Sequence, residues 1–215
     1  MALGEKCVGA AKGANNLLVL ILGTGLGAGV IVNGQICRGA TGSAGEWGHM
    51  VINPNGPKCS CGSRGCVEAY AGVTAIIRRT KEALAATSEN SLLRKIAERQ
   101  GITVREVIKA AKSGDPIATQ VLKETGQYIG IGIANLVNLF NPEVIIIGGW
   151  VGIEAAEFLL PAIQSVVKKH ALEFPLRSTR IAISRLADRA IAVGAATVVL
   201  HKFLRPPKIK NAVSW

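Results

Sequence analysis

Leu17-Leu18-Val19-Leu20-Ile21-Leu22-Gly23-Thr24-Gly25-Leu26-Gly27-Ala28-Gly29-Val30-Ile31-Val32-Asn33-Gly34 reads as two strands with a glycine turn between them and a second turn at the end. Residues 17–22 and 27–32 carry the aliphatic and β-branched side chains that suit a pleated, buried surface. Gly23-Thr24-Gly25 interrupts them, and Asn33-Gly34 is the dipeptide favoured in two-residue hairpins. Residues 35–38 return as a third strand, so the region is an antiparallel meander. The same uncharged stretch, Ala14 to Cys37, holds the G-x-x-x-G of Gly25 and Gly29, which also occurs in membrane-spanning helices. The glycine breaks favour the strands over a span.

Further along, helical periodicity covers residues 67–85, 91–99, 103–112 and 116–140, the last stopped by Pro142. Residues 144–147 form a wholly apolar strand closed by Gly148-Gly149. A helix over 154–170, a strand over 179–184 and a helix over 189–203 follow. This order predicts an α/β fold, a mixed sheet with flanking helices. Residues 205–215, with Pro206-Pro207, Arg205 and the two lysines Lys208 and Lys210, read as a loose basic tail.

The 215 residues, 49% of them hydrophobic, suffice for one good core or two small ones. An excess of 25 Lys and Arg over 14 Asp and Glu gives a net charge of +11, which suits an anionic partner. Charge alone does not choose between nucleotide phosphates and nucleic acid. The first residues lack the apolar run of a secretory signal, and a reducing cytoplasm suits the thiols.

Those thiols are grouped. Glu46-Trp47-Gly48-His49 is followed by Cys59-Ser60-Cys61 and then Cys66-Val67-Glu68. Pro57, Gly62 and Gly65 allow the intervening loop to fold back so that Cys59, Cys61 and Cys66 converge with His49. Three thiolates and an imidazole make a tetrahedral zinc set, structural because no position is left open. Disulfides or unliganded thiols are the alternatives. The metal would fix Glu46 and Glu68 in space beside it. Cys7 and Cys37 stand apart and read as small buried apolar residues.

Taken together, Leu22 to Gly29, Gly45-Glu46-Trp47-Gly48-His49 and Cys59-Ser60-Cys61-Gly62-Ser63-Arg64-Gly65-Cys66-Val67-Glu68 resemble the ROK family of repressors, uncharacterised frames and sugar kinases, nearest to its bacterial ATP-dependent glucokinases. The resemblance runs from about Ala2 to Leu204. It implies an actin-like, ribonuclease-H-type fold, namely the C-terminal lobe of a two-lobed kinase over residues 1–204, with a zinc loop at 46–68 and a helical insertion at 67–140. It makes His49, Cys59, Cys61 and Cys66 the zinc ligands, and Glu46, His49 and Glu68 the wall of the sugar site. A zinc-bound imidazole keeps its second N–H as a donor, and carboxylates suit paired hexose hydroxyls.

Gly23, Thr24 and Gly25 would be the second phosphate loop, and Gly148 and Gly149 the adenosine loop, both serving Mg-ATP. Out of context the first run also fits a dinucleotide fingerprint, but a strand follows it where that motif needs a helix. The family's adenosine loop continues with glycine and a small polar residue, whereas this chain has Trp150-Val151, which can stack on a base or crowd it.

The family's first phosphate loop, Asp-Gly-Gly-Thr, and its catalytic aspartate have no counterpart in these residues. That aspartate belongs to an Asn-Asp-Ala-Asn segment just before the Ala-Leu-Gly-Glu that appears here as Ala2-Leu3-Gly4-Glu5. The expectation is therefore a glucokinase-type lobe, with glucose favoured by similarity, that has negligible activity alone and forms homo-oligomers or associates with an N-terminal lobe. A non-catalytic sugar-sensing module is the alternative. Residues 96–107 also resemble a helix-turn-helix, with Arg105, Lys109 and Lys112 near one face. The apolar stripe of Val104, Val107, Ile108 and Ala111 equally suits a helix packed on the main fold, and nucleic acid is not the expected partner.

Overall fold

The computed structural model describes residues 1–99, 101–187 and 189–204. Strands β1 (Leu17–Leu22), β2 (Leu26–Val32), β3 (Gln35–Ile36), β4 (Val144–Gly148) and β5 (Arg180–Ile183) form one sheet in the order β3-β2-β1-β4-β5. The β1–β2 and β2–β3 pairs are antiparallel, with Leu17 opposite Ile31 and Leu22 opposite Leu26. β1–β4 and β4–β5 are parallel. Alternation explains why β1 and β4 are apolar throughout. Leu18, Leu20, Leu22, Ile145 and Ile147 enter the larger core, while Leu17, Val19, Ile31, Val144 and Ile146 enter a smaller one on the opposite face.

The larger core lies beneath a helical layer. It comprises α2 (Val67–Ala71), α3 (Val73–Ala86), α4 (Leu92–Arg99), α5 (Val104–Lys112), α6 (Pro116–Phe140), α7 (Gly149–Glu154) and α8 (Ala156–His170). The smaller core is closed by α1 (Ala2–Cys7), whose Ala2 is buried. α9 (Glu173–Ser178) precedes β5, and α10 (Arg189–Leu204) follows it and packs on α1. The 205–215 tail expected from sequence lies outside the described residues.

Asp115 decides where two helices begin. One carboxylate oxygen accepts the Ala118 N–H at the start of α6, and the other accepts the Ser91 hydroxyl and the Leu92 N–H, both at 2.7 Å. Pro116 fills the first helical position and Asn141, left-handed at φ 43°, ends the helix before Pro142. Asp115 is buried, so Asp115→Ala is expected to destabilise the chain by about 2–4 kcal/mol through a lost cap and stranded donors. Urea unfolding measures this, and Asp115→Asn should lose less.

Two charged residues play structural parts that the sequence did not signal. Arg79 is buried between α3 and α6, donating to the carbonyls of Tyr70 and Val121, to Thr125 Oγ1 and to Glu124 Oε2 at 2.8–3.0 Å. Its guanidinium also lies over the Tyr128 ring, which stacks on Tyr70. Glu5 is fully buried, accepting the Ala10 N–H and the Ser184 hydroxyl, and so fastens α1 to the segment after β5.

Several expected boundaries shift. The helix expected over 67–85 is two helices, because Gly72 is extended (ψ 164°). Gly148-Gly149 is not followed by a long loop. Instead α7 starts at once, because Gly149 adopts φ +78°, and a Cβ there would stand 2.3 Å from the Leu22 carbonyl oxygen. The third strand stops at Ile36. Cys37 beyond it is exposed and Cys7 is half-buried, so neither is the buried apolar residue expected; Cys37 follows the last rung of an edge strand, where its side chain faces solvent. The stripe of α5 is core, with Val104, Val107, Ile108 and Ala111 buried, and a Thr103–Glu106 capping box starts that helix. No helix among the described residues is long and apolar enough to cross a membrane.

Candidate functional site

The loop between His49 and Cys66 is clipped to itself by short bridges. Val51 pairs with Cys66 and Lys58 with Arg64, while Cys59 N–H donates to the Ser63 carbonyl and Gly65 N–H to that of Pro57. Gly65 makes the fold-back possible. It holds φ +69°, and a Cβ there would lie 1.6 Å from the Asn53 carbonyl oxygen. His49 arrives from a 3-10 turn, Trp47–His49, anchored where the buried Trp47 indole donates to the Gly27 carbonyl at 2.7 Å. Cys66 is the N-cap of α2, whose first turn carries Glu68.

These elements bring His49, Cys59, Cys61 and Cys66 together, with one donor atom of each within 4.8 Å of all the others. His49 Nδ1 is 3.7 Å from Cys59 Sγ, and Cys61 Sγ is 3.8 Å from Cys66 Sγ. A tetrahedral ion with sulfur bonds of about 2.3 Å has ligand edges of about 3.8 Å, so the donor set fits a divalent metal. The thiols fit each other poorly without one. Burial, then the neighbouring Cys59 and Cys61, push the Cys66 thiol up to about 12. The Ser63 backbone N–H foremost draws the Cys61 thiol below its usual range. The His49 imidazole is raised, chiefly by its hydrogen bond with Cys59, with Glu68 and Glu46 adding to the effect.

His49 serves two sides. Its Nδ1 faces the thiols while its Nε2 lies 3.9 Å from Glu46 Oε2. Glu68 is committed on both oxygens, since Leu26 N–H donates to Oε2 at 2.8 Å and the Ser60 hydroxyl to Oε1 at 3.3 Å. The carboxylate therefore ties the end of the Gly23-Thr24-Gly25 turn to the cysteine loop.

A cavity of about 400 Å³ opens there, lined by Thr24, Gly25, Lys58, Ser60, Glu68, Thr74 and Arg78 among others. Glu46, 3.9 Å from His49 Nε2, is not in that lining and stands at the rim of an apolar hollow with Met50, Leu139 and Phe140. Gly148 and Gly149 sit against Met1 and Leu22, and Trp150 carries its indole edge to the Gly23 end of the turn. Lys58, Thr74 and Arg78 were not signalled by sequence as site residues. Lys58 adjoins Cys59, the one hint available, whereas Thr74 and Arg78 reach the cavity only through the packing of α3.

Residues 1–202 match the model of the ROK family. The chain is 37% identical over 199 residues to a glucokinase of Halalkalibacterium halodurans, covering 92% of this chain and 60% of that protein. It is also 37% identical over 204 residues to a xylose repressor of Bacillus spizizenii, covering 94% of this chain and 49% of the repressor. Its fold superposes with a TM-score of 0.79 on the ROK family glucokinase from Streptomyces griseus in complex with glucose and AMPPNP, at 33% identity over 92% of this chain and 64% of that one. The chain thus spans half to two-thirds of the length of these proteins. With matches reaching both kinases and repressors across nearly all of its residues, the chain belongs to the ROK family and has that family's actin-like, mixed α/β fold.

Proposed function

We propose that residues 1–204 are the C-terminal, sugar-recognising lobe of a glucokinase-type ROK kinase, which transfers the γ-phosphoryl group of ATP to a hexose hydroxyl, with glucose O6 the favoured acceptor. The observation that carries this reading is the position of Glu68. It stands two residues after Cys66 of the cysteine cluster and accepts the backbone N–H of Leu26 at the glycine turn. One side chain thus joins a hydroxyl-binding carboxylate, a metal clamp and a phosphate-loop candidate.

In this reading His49, Cys59, Cys61 and Cys66 hold a structural Zn2+ that fixes the loop and leaves no open coordination position. Glu46, the outer nitrogen of His49 and Glu68 engage hexose hydroxyls. Gly23, Thr24 and Gly25 offer backbone N–H groups and a hydroxyl to phosphates, and Gly148 and Gly149 border the nucleoside. Mg-ATP, when bound, supplies the transferred group and the metal charge that offsets its oxygens. The cavity is lined by a single carboxylate, Glu68, and both of its oxygens already accept hydrogen bonds. A general base for the sugar hydroxyl must therefore come from outside this wall.

Two measurements test the reading. Calorimetry on the chain should register glucose binding, and a coupled assay should find turnover below about a hundredth of that of a full-length ROK glucokinase. Absence of glucose binding overturns the sugar assignment, and turnover above that level overturns the missing base. A second reading, a sugar-sensing module without catalysis, is favoured by the xylose repressor's 37% identity. Glucose or xylose bound with no response to nucleotide would select it.

The lobe should also self-associate or dock on a further lobe. α10 exposes Ile191, Val198, Val199, Leu200 and Phe203, a concentration of apolar area that single soluble domains rarely leave uncovered. Light scattering is expected to give a mass above 22.5 kDa that rises with concentration. A constant monomer mass would contradict this.

A further inference from the structure

Trp150 stands at the start of α7, beside the glycine turn. Its indole Cδ1 and Nε1 lie 3.6 Å from the point that a Cβ at Gly23 would occupy. Arg105, from the first turn of α5, places its guanidinium carbon 5.2 Å from the centre of the indole ring. Glu154, at the far end of α7, holds that guanidinium at 3.3 Å. Three segments distant in sequence therefore meet at one indole, with Arg105 over its ring and Gly23 at its edge. Among the described residues the indole N–H has no hydrogen-bond partner.

Packing alone explains this poorly. Trp150 is half-buried against the larger core, whereas Arg105 is 70% exposed on its side chain and fills none. A planar cation over a planar indole is, however, the arrangement that admits a third planar group between the two. Stacking a heteroaromatic base needs about 3.5 Å on each side, so the guanidinium would lift by roughly 2 Å from its present distance. A long exposed side chain does this by rotamer change alone, with Glu154 still in reach as a tether. The indole would stack on one face of the base, and the guanidinium would supply cation–π attraction on the other, near the phosphates' negative charge.

We propose that Trp150 and Arg105 are the two walls of a purine slot, closed in this structure, that sets the nucleotide preference of the site. The proposal rests on the reading of Gly23–Gly25 and Gly148-Gly149 as nucleotide loops and adds the residues that grip the base. Being built from stacking and not from edge hydrogen bonds, the slot should accept adenine and guanine alike and prefer both to pyrimidines, which offer a smaller π face.

The test is titration of the 215-residue chain with Mg-AMPPNP, Mg-GMPPNP and Mg-CTP, followed by calorimetry and by indole emission. Binding of AMPPNP should quench Trp150, and Trp150→Ala should abolish the quench and weaken binding about tenfold. Arg105→Ala should weaken it about threefold to fivefold, and Arg105→Lys by less, because the charge is kept while the plane is lost. Arg105 is on the surface, so its variants report even if Trp150→Ala perturbs α7, and circular dichroism checks that substitution directly. AMPPNP bound equally by the wild type and both alanine variants overturns the slot and leaves the nucleotide reading intact. Tighter binding by Trp150→Ala overturns it too, by making the indole an obstruction. Preference for CTP overturns the purine assignment, and binding of no nucleotide by any version overturns the slot together with the loops on which it rests.

Discussion

Stripping the metal with a strong chelator should lower the thermal midpoint of this chain by about 10–20 °C, and elemental analysis before treatment should find one zinc per chain. Structural zinc contributes about 10–16 kcal/mol of apparent free energy where the metal is the whole core of a small peptide. Here the sheet and α6 have their own cores, so only the cysteine loop and what it anchors depend on the ion, an effect of about 4–6 kcal/mol. Without the ion the loop keeps only its short bridges and backbone hydrogen bonds. Three sulfurs and an imidazole crowd within 4.8 Å, and the buried Cys66 thiol is held neutral, up to about 12, in the absence of a cation.

A bound divalent charge reverses that preference and makes thiolates the stable form. Protons and metal therefore compete for the same atoms, and affinity for zinc should fall as pH falls. Cys66→Ser should reproduce the chelator's effect, and chelation should then add nothing, since both remove one interaction. A midpoint unmoved by chelation, or a preparation free of zinc, would sink the metal clamp.

The sheet was legible because its signals are local. Leu17–Leu22 is aliphatic, Asn33-Gly34 demands a hairpin, and the Val144–Ile147 run between Pro142 and Gly148 has few alternatives to a buried parallel strand. The gathering of His49 with Cys59, Cys61 and Cys66 was legible for a different reason, because donor chemistry is written in residue type and spacing. What failed depended on contacts across the chain. Apolar periodicity continues through Gly72, so nothing local marks the break that gives Glu68 a short helix of its own. Arg79 looks like one more solvated cation in a basic helix until α6, more than forty residues later, surrounds it with acceptors. Glu5 finds Ser184 across nearly the whole sequence. Arg78 and Thr74 become cavity residues only once α3 is laid beside the glycine turn. Trp150 could be read as stacking on a base or crowding it, but nothing local announces Arg105, which arrives from α5.

Glu68→Gln should weaken glucose binding by at least tenfold while moving the unfolding free energy by less than about 1 kcal/mol. The substitution keeps size and shape, and an amide oxygen can still accept the Leu26 N–H that Oε2 now accepts at 2.8 Å. What it removes is charge, and hydrogen bonds to a charged group contribute about 1.5–3 kcal/mol where neutral ones contribute about half as much. Glu68→Ala goes further. It strands the Leu26 N–H beside the turn and releases the Ser60 hydroxyl, so it should cost about 1–3 kcal/mol of stability and loosen the glycine turn as well. The pair of variants separates two roles for one carboxylate. If Glu68 only ties the turn to the cysteine loop, the glutamine variant binds sugar normally and only the alanine variant suffers. If it also receives a hexose, the sugar must share or displace the Ser60 and Leu26 donors, and occupancy on the sugar side is then felt at the phosphate turn through a single side chain. Glucose affinity unchanged in Glu68→Gln would confine the residue to architecture and remove the link between the two halves of the proposed site.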